Sequence, residues 1–146
     1  MGVDAPIELD VSGVEEFAPE EMDPEGRGLR YGHHVAYALK FLDDAAAQIG
    51  CPSLRTFVLD DDEIIDDTTP LDERARLESR QWFRPEDALP VIRALEAHVS
   101  SLSESEVREY EWWRSSREGV LWDLMAYGLI LERAVREGQR FRIPRG

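Results

Sequence analysis

Val120-Leu121-Trp122-Asp123-Leu124-Met125-Ala126-Tyr127-Gly128-Leu129-Ile130-Leu131 is the stretch whose reading decides the fold. It has helix-forming composition and is apolar on nearly every face. A helix of that kind belongs in the middle of a bundle rather than on its surface. Upstream, Ser103 and Glu106 have the S-x-x-E spacing of a capping box, in which two unpaired amides at a helix start are satisfied reciprocally. The helical pattern runs from Ser103 through Glu118, with a break or bend near Gly119, and on to about Glu137. Gly138 suits the left-handed residue that closes a helix.

Two further helices supply partners for this segment. Over 85–99, Ala88, Val91, Ile92, Leu95 and Val99 form one apolar stripe. Pro85 fits the first helical position, and Glu86 and Asp87 favour the positive end of the helix dipole. Pro90 lies in the first two turns, where a missing amide costs less than in mid-helix. Over 29–49, Val35, Ala38, Leu39, Leu42, Ala45, Ala46 and Ile49 follow the i, i+3, i+4 rule, and Gly50 and Pro52 end the run. The predicted core is Leu121, Leu124, Met125, Ile130 and Leu131 packed on Leu39, Leu42, Val91, Ile92 and Leu95. The stretch 71–81 is charged and weakly helical.

Strand signals are short. Ile7, Leu9 and Val11 alternate with acids, which suits an edge strand. Residues 55–59 and the Phe141/Ile143 alternation suit two more. Residues 1–27, punctuated by Pro6, Gly13, Pro19, Pro24 and Gly26, read as an acidic, partly extended arm pinned by Phe17 and Met22. Residues 28–146 read as a single helical domain. The expected fold is therefore mainly α: a compact bundle of about four helices with acidic loops and two or three short peripheral strands.

A chain of 146 residues suffices for one domain with its own core. Cys51 is the lone cysteine, which excludes an intramolecular disulfide and fits a reducing cytoplasm. No apolar run approaches a membrane span, and Met1 to Glu21 carries acids without the basic n-region of a secretory signal. Lys40 is the lone lysine among the seventeen basic residues. The abundance of Arg, Ala, Gly, Pro and Asp indicates a GC-rich, bacterial source, so the arginines do not by themselves imply phosphate recognition.

The net charge of −14 is unevenly placed. Residues 1–27 hold nine acids and one base, and residues 60–73 hold eight acids and no base. Residues 28–59 and 74–146 each carry only +1. Such a surface repels nucleic-acid phosphates and attracts a basic protein.

Chemical motifs are sparse. His33 and His34 are adjacent and point about 100° apart on a helix, so they do not share a metal easily, and His98 is far away in sequence. Asp60, Asp62 and Asp66 alternate as in a calcium loop. Counted from Asp60, however, the fifth, sixth and twelfth positions of an EF-hand are Ile64, Ile65 and Leu71, where an oxygen ligand, Gly and Glu are required. Gly26 and Gly28 precede the first helix, but no phosphate-binding motif extends them. Cys51 needs a base that sequence does not supply. No metal and no cofactor is expected. Tyr110, Trp112 and Trp113 cluster, and Trp112 points away from the apolar face of its helix, as an interface residue would.

These features favour a non-catalytic binding protein, immunity- or inhibitor-like, whose acidic surface meets a basic protein through Asp60, Asp61, Asp62, Asp66 and Trp112. The alternative is a small bacterial enzyme with a site assembled from scattered His, Asp, Glu and Arg residues. Neither nucleic acid nor a membrane is expected as a partner.

Overall fold

The computed structural model describes residues 4–60, 67–78, 81–111 and 116–146. Its elements in chain order are β1 (Ile7–Leu9), β2 (Gly13–Glu15), α1 (His33–Tyr37), α2 (Leu39–Ile49), β3 (Val58–Asp60), α3 (Leu71–Glu78), α4 (Pro85–Ser100), α5 (Glu104–Glu111), α6 (Arg117–Glu137) and β4 (Phe141–Arg145). A one-turn 3-10 helix, Leu54–Phe57, leads into β3.

The architecture is a mixed α/β fold, which keeps the helical character of the expected mainly α bundle of about four helices but corrects the place given to its two or three peripheral strands. A four-stranded sheet has the order β2-β1-β4-β3. The pairs β1–β2 and β1–β4 are antiparallel, and β3–β4 is parallel. Three of its strands fall on the segments predicted as peripheral, β2 was not predicted, and β1 and β4 are its two interior strands. Ile7, Leu9, Phe141 and Ile143 point from β1 and β4 into the core and are essentially inaccessible to solvent. The expected edge strand is therefore an inner one. A period of two shows which face is apolar, but not how many neighbours a strand has.

The helix α6 packs against α4, α1, α5 and β1, the central place its sequence implies. Its buried residues include Val120, Leu124, Tyr127, Ile130, Leu131 and Ala134, a stripe at i, i+3/i+4, i+7. Leu121 is half-buried against the core, and Met125 is 45 % exposed. Placing Met125 at the centre of the core is therefore corrected. A run that is apolar all round exceeds what its neighbours cover here.

The first long helix is broken. Residues 29–32 are not helical and α1 begins only at His33, because Gly32 adopts φ +94° against the chain at Ala5. A Cβ at Gly32 would lie 2.6 Å from the Ala5 carbonyl oxygen, so only glycine fits. Ala38 leaves helical geometry and separates α1 from α2, which ends at Gly50 with φ +73°.

Of residues 55–59, only Val58 and Leu59 are strand. The turn before them is held by Ser53, which accepts the Arg55 amide hydrogen and donates to Asp43.

The capping box forms: Glu106 accepts the Ser103 amide hydrogen at 3.0 Å, and Ser103 Oγ accepts that of Glu106 at 3.4 Å. The next helix starts before Gly119, not at it, with Ser116 Oγ accepting the Gly119 amide hydrogen at 3.0 Å. Arg117 then donates to the carbonyls of Leu102 and Ser100, satisfying the end of α4.

Among the described residues, no helix is long and apolar enough to cross a membrane.

Candidate functional site

The chain from β2 to α1 forms the acidic margin of the sheet. Three side chains fix its shape. Asp23 is buried and its carboxylate accepts amide hydrogens from Arg27, Gly28 and Leu29 at 3.0–3.1 Å. These bonds, that of Arg27 first, hold its pKa below the ordinary carboxylate value. Of the glycine pair, Gly28 gives its amide hydrogen to this carboxylate and Gly26 gives its own to the Asp23 main-chain carbonyl at 3.0 Å, so neither amide is left for a phosphate. Tyr31 inserts its hydroxyl into the β1–β2 ladder, accepting from the Ile7 amide at 3.0 Å and donating to the Glu15 carbonyl at 2.5 Å. Burial pushes the pKa of this phenol well up, so it remains a neutral donor. Tyr127 stands edge-on to Tyr31 and donates to the Ala5 carbonyl at 2.6 Å.

Phe17 lies on the surface of this frame. It pairs with Arg30 through an isolated bridge, and the Arg30 guanidinium sits 5.6 Å from its ring centre. Phe17 is 47 % exposed and Val14 48 % exposed, so Phe17 does not pin the segment as its sequence suggested. Met22 does pack against the core.

Two grooves meet at Phe17. One, of about 380 Å³, runs along Val14, Ala18, Pro19 and Ile130. The other, of about 510 Å³, runs along Pro24, Gly26 and Gly28. Glu20 lines both. A separate cleft of about 300 Å³ lies between Val14, Glu16 and Arg30 on one side and Asp4, Pro6 and Pro144 on the other.

The cations of this margin are already engaged. Arg133 pairs with Glu15 at 2.5 Å, Arg27 pairs with Glu25, and Arg30 stacks on Phe17. Glu16, Glu20 and Glu21 are exposed, and no described cation pairs with them.

A second polar cluster lies where α1 meets α6. Asp123, 1 % exposed, accepts the Val35 amide hydrogen at 2.9 Å. Burial raises its pKa, and the amides of Val35 and Gly32 act in the opposite direction. The His34 ring packs on Gly119. His33 stands edge-on to His34 and to Tyr37, with Nδ1 3.6 Å from Asp4 Oδ1. Asp123 was legible as a lone acid in an apolar run, a signal that the periodicity argument passes over.

Of the residues chosen from sequence, Asp60 ends β3, opposite Arg145 and at the sheet edge remote from β2. Asp61, Asp62, Asp66 and Trp112 lie outside the described residues, as do Ile64 and Ile65. His98 lines a small depression beside Glu106, away from the other two histidines. Cys51 is half-buried, and desolvation raises the pKa of its thiol, the opposite of what a nucleophile needs. No group of three or more His, Cys, Asp or Glu among the described residues is arranged to hold a metal ion. No protein-family model, curated protein or solved structure matches this chain.

Proposed function

We propose that this chain is a non-catalytic binding protein whose acidic surface engages a basic protein partner, as immunity proteins and inhibitors of basic toxins do. The observation that supports this reading is the pairing at the sheet margin. Its arginines are committed to neighbours, while Glu16, Glu20 and Glu21 stay exposed and without a described cation. Carboxylates on a held frame attract a cationic surface, and these lose little on meeting it, because they give up no ion pair among the described residues.

The test is calorimetric titration of the purified protein with lysine- and arginine-rich peptides and with glutamate-rich peptides, at low and high salt. Cationic peptides should bind, salt should weaken them, and anionic peptides should give no heat. Equal binding of both classes, or of neither, would reject the reading.

A second reading, a small enzyme, is favoured by the grouping of His33, His34 and Tyr37 beside Asp4 and Asp123. Against it, Asp123 is closed to solvent and serves to hold α1.

A further inference from the structure

We infer that the grooves meeting at Phe17 are the docking site for a basic segment of the partner, one in which lysine or arginine flanks a bulky apolar side chain. The inference rests on the binding-protein reading and names the site within it.

The surface has two chemistries in register. Phe17 and Val14 are each about half exposed, and both line the groove of about 380 Å³ that Ala18, Pro19 and Ile130 continue. Aromatic side chains left half in water on a framed surface are typical anchors of an interface. Glu16 and Glu20 line the same groove, and Glu20 also lines the one beyond Phe17. An occupant must therefore bury an apolar group against Phe17 and present positive charge within a few ångströms of it.

Charge also decides between occupants. A second copy of this chain would bring another stretch of nine acids and one base against the first, and like charges across an interface are costly. An acidic or neutral partner would leave Glu16, Glu20 and Glu21 facing it without compensation. A purely polycationic partner would leave Phe17 and Val14 unused. A mixed basic and apolar segment satisfies both.

The frame is suited to hold such a segment without reorganising. The loop 23–29 is tied by three bonds to Asp23, and the Tyr31 hydroxyl fixes β2 to β1. Pre-formed surfaces forgo the ordering cost of binding.

The experiment uses the full chain and two labelled peptides of equal charge and length, one alternating arginine with leucine and one alternating arginine with glycine. Affinity is read by fluorescence anisotropy, and the contact surface by amide chemical shifts. The leucine peptide should bind about tenfold more tightly, equivalent to about 1.4 kcal/mol. Its shifts should centre on Val14, Phe17, Ala18 and Ile130. Phe17→Ser should remove that tenfold advantage and leave the residual salt-sensitive binding. The triple variant E16Q/E20Q/E21Q should weaken both peptides. The changed residues are all exposed, and melting temperatures that do not fall confirm that folding is not the cause.

Equal affinity of the two peptides, or an unchanged advantage in Phe17→Ser, would overturn the groove assignment while leaving acidic-surface binding intact. Failure of both peptides to bind would overturn the functional reading itself.

Discussion

Asp123 Oδ2 accepts the Val35 amide hydrogen at 2.9 Å and so joins the second turn of α6 to the first turn of α1, 88 positions earlier in the chain. The same carboxyl is buried, and burial outweighs the amide bonds in setting its pKa above the ordinary 3.8. A carboxyl whose folded pKa is raised holds its proton more tightly folded than unfolded. Its contribution is present at low pH and is lost as pH rises from its unfolded pKa through its folded one. Asp23 has the opposite sign: its pKa is lowered, so its contribution is present above the unfolded value and is lost as pH falls through the folded value.

Two substitutions should therefore diverge with pH. Relative to wild type, Asp123→Asn should gain stability as pH rises from about 4, and Asp23→Asn should gain as pH falls below about 4. Chemical denaturation from about pH 3 to 8 measures both. Slopes of the same sign would refute the opposing environments of these two carboxyls.

Gly119 and His34 give a prediction that reverses a propensity rule. Gly119 lies in the first turn of α6, where alanine would ordinarily stabilise the helix by about 1 kcal/mol. A Cβ there would sit 2.3 Å from Cγ and Nδ1 of His34, so the ring must move. Gly119→Ala should destabilise by about 1–2 kcal/mol, the usual scale of overpacking. In a His34→Ala background the same change should become neutral or favourable. A double-mutant cycle by urea denaturation reads the coupling, and simple additivity would show that the ring does not occupy that space.

Adjacent residues of α6 test how far the core could be read from sequence. Leu124 is fully buried and Met125 is 45 % exposed. Leu124→Ala should cost about 2–5 kcal/mol, whereas Met125→Ala should stay within about 0.5 kcal/mol. Comparable losses would mean that both faces of the helix are covered.

The same contrast explains what was legible. The stripe of α4, the capping box at Ser103 and the glycine stops at Gly50 and Gly138 are local patterns, and local patterns survive in the sequence. The sheet is not local. Leu9 pairs with Phe141 from the far end of the chain, and nothing in either strand names the other. Three-residue strands also carry too few alternations to separate an inner strand from an edge. The charge of residues 1–27 was readable, but its display around Phe17 depends on Asp23 and Tyr31 bonds that no spacing rule encodes.

The two acidic segments should differ in how they steer a partner. Asp60 ends β3, and the sheet order puts β3 three strand spacings from β2. At about 4.8 Å per spacing that is roughly 14 Å. The Debye length is about 8 Å at physiological salt and about 30 Å at 0.01 M. If the partner seats beside β2, then at physiological salt it senses Glu16, Glu20 and Glu21 directly and Asp60 only weakly. Replacing Asp60, Asp61, Asp62 and Asp66 by Asn should slow association at low salt and change it little at physiological salt. E16Q/E20Q/E21Q should slow it at both and flatten its salt dependence. Melting temperatures of both variants should hold steady or rise slightly as self-repulsion is relieved. Stopped-flow association across a salt series separates these cases. If the four-Asn variant slows association as much as the Glu variant at physiological salt, the partner docks at the β3 edge. A severe loss of stability in the four-Asn variant would instead mean that those acids are paired or metal-bound within the fold.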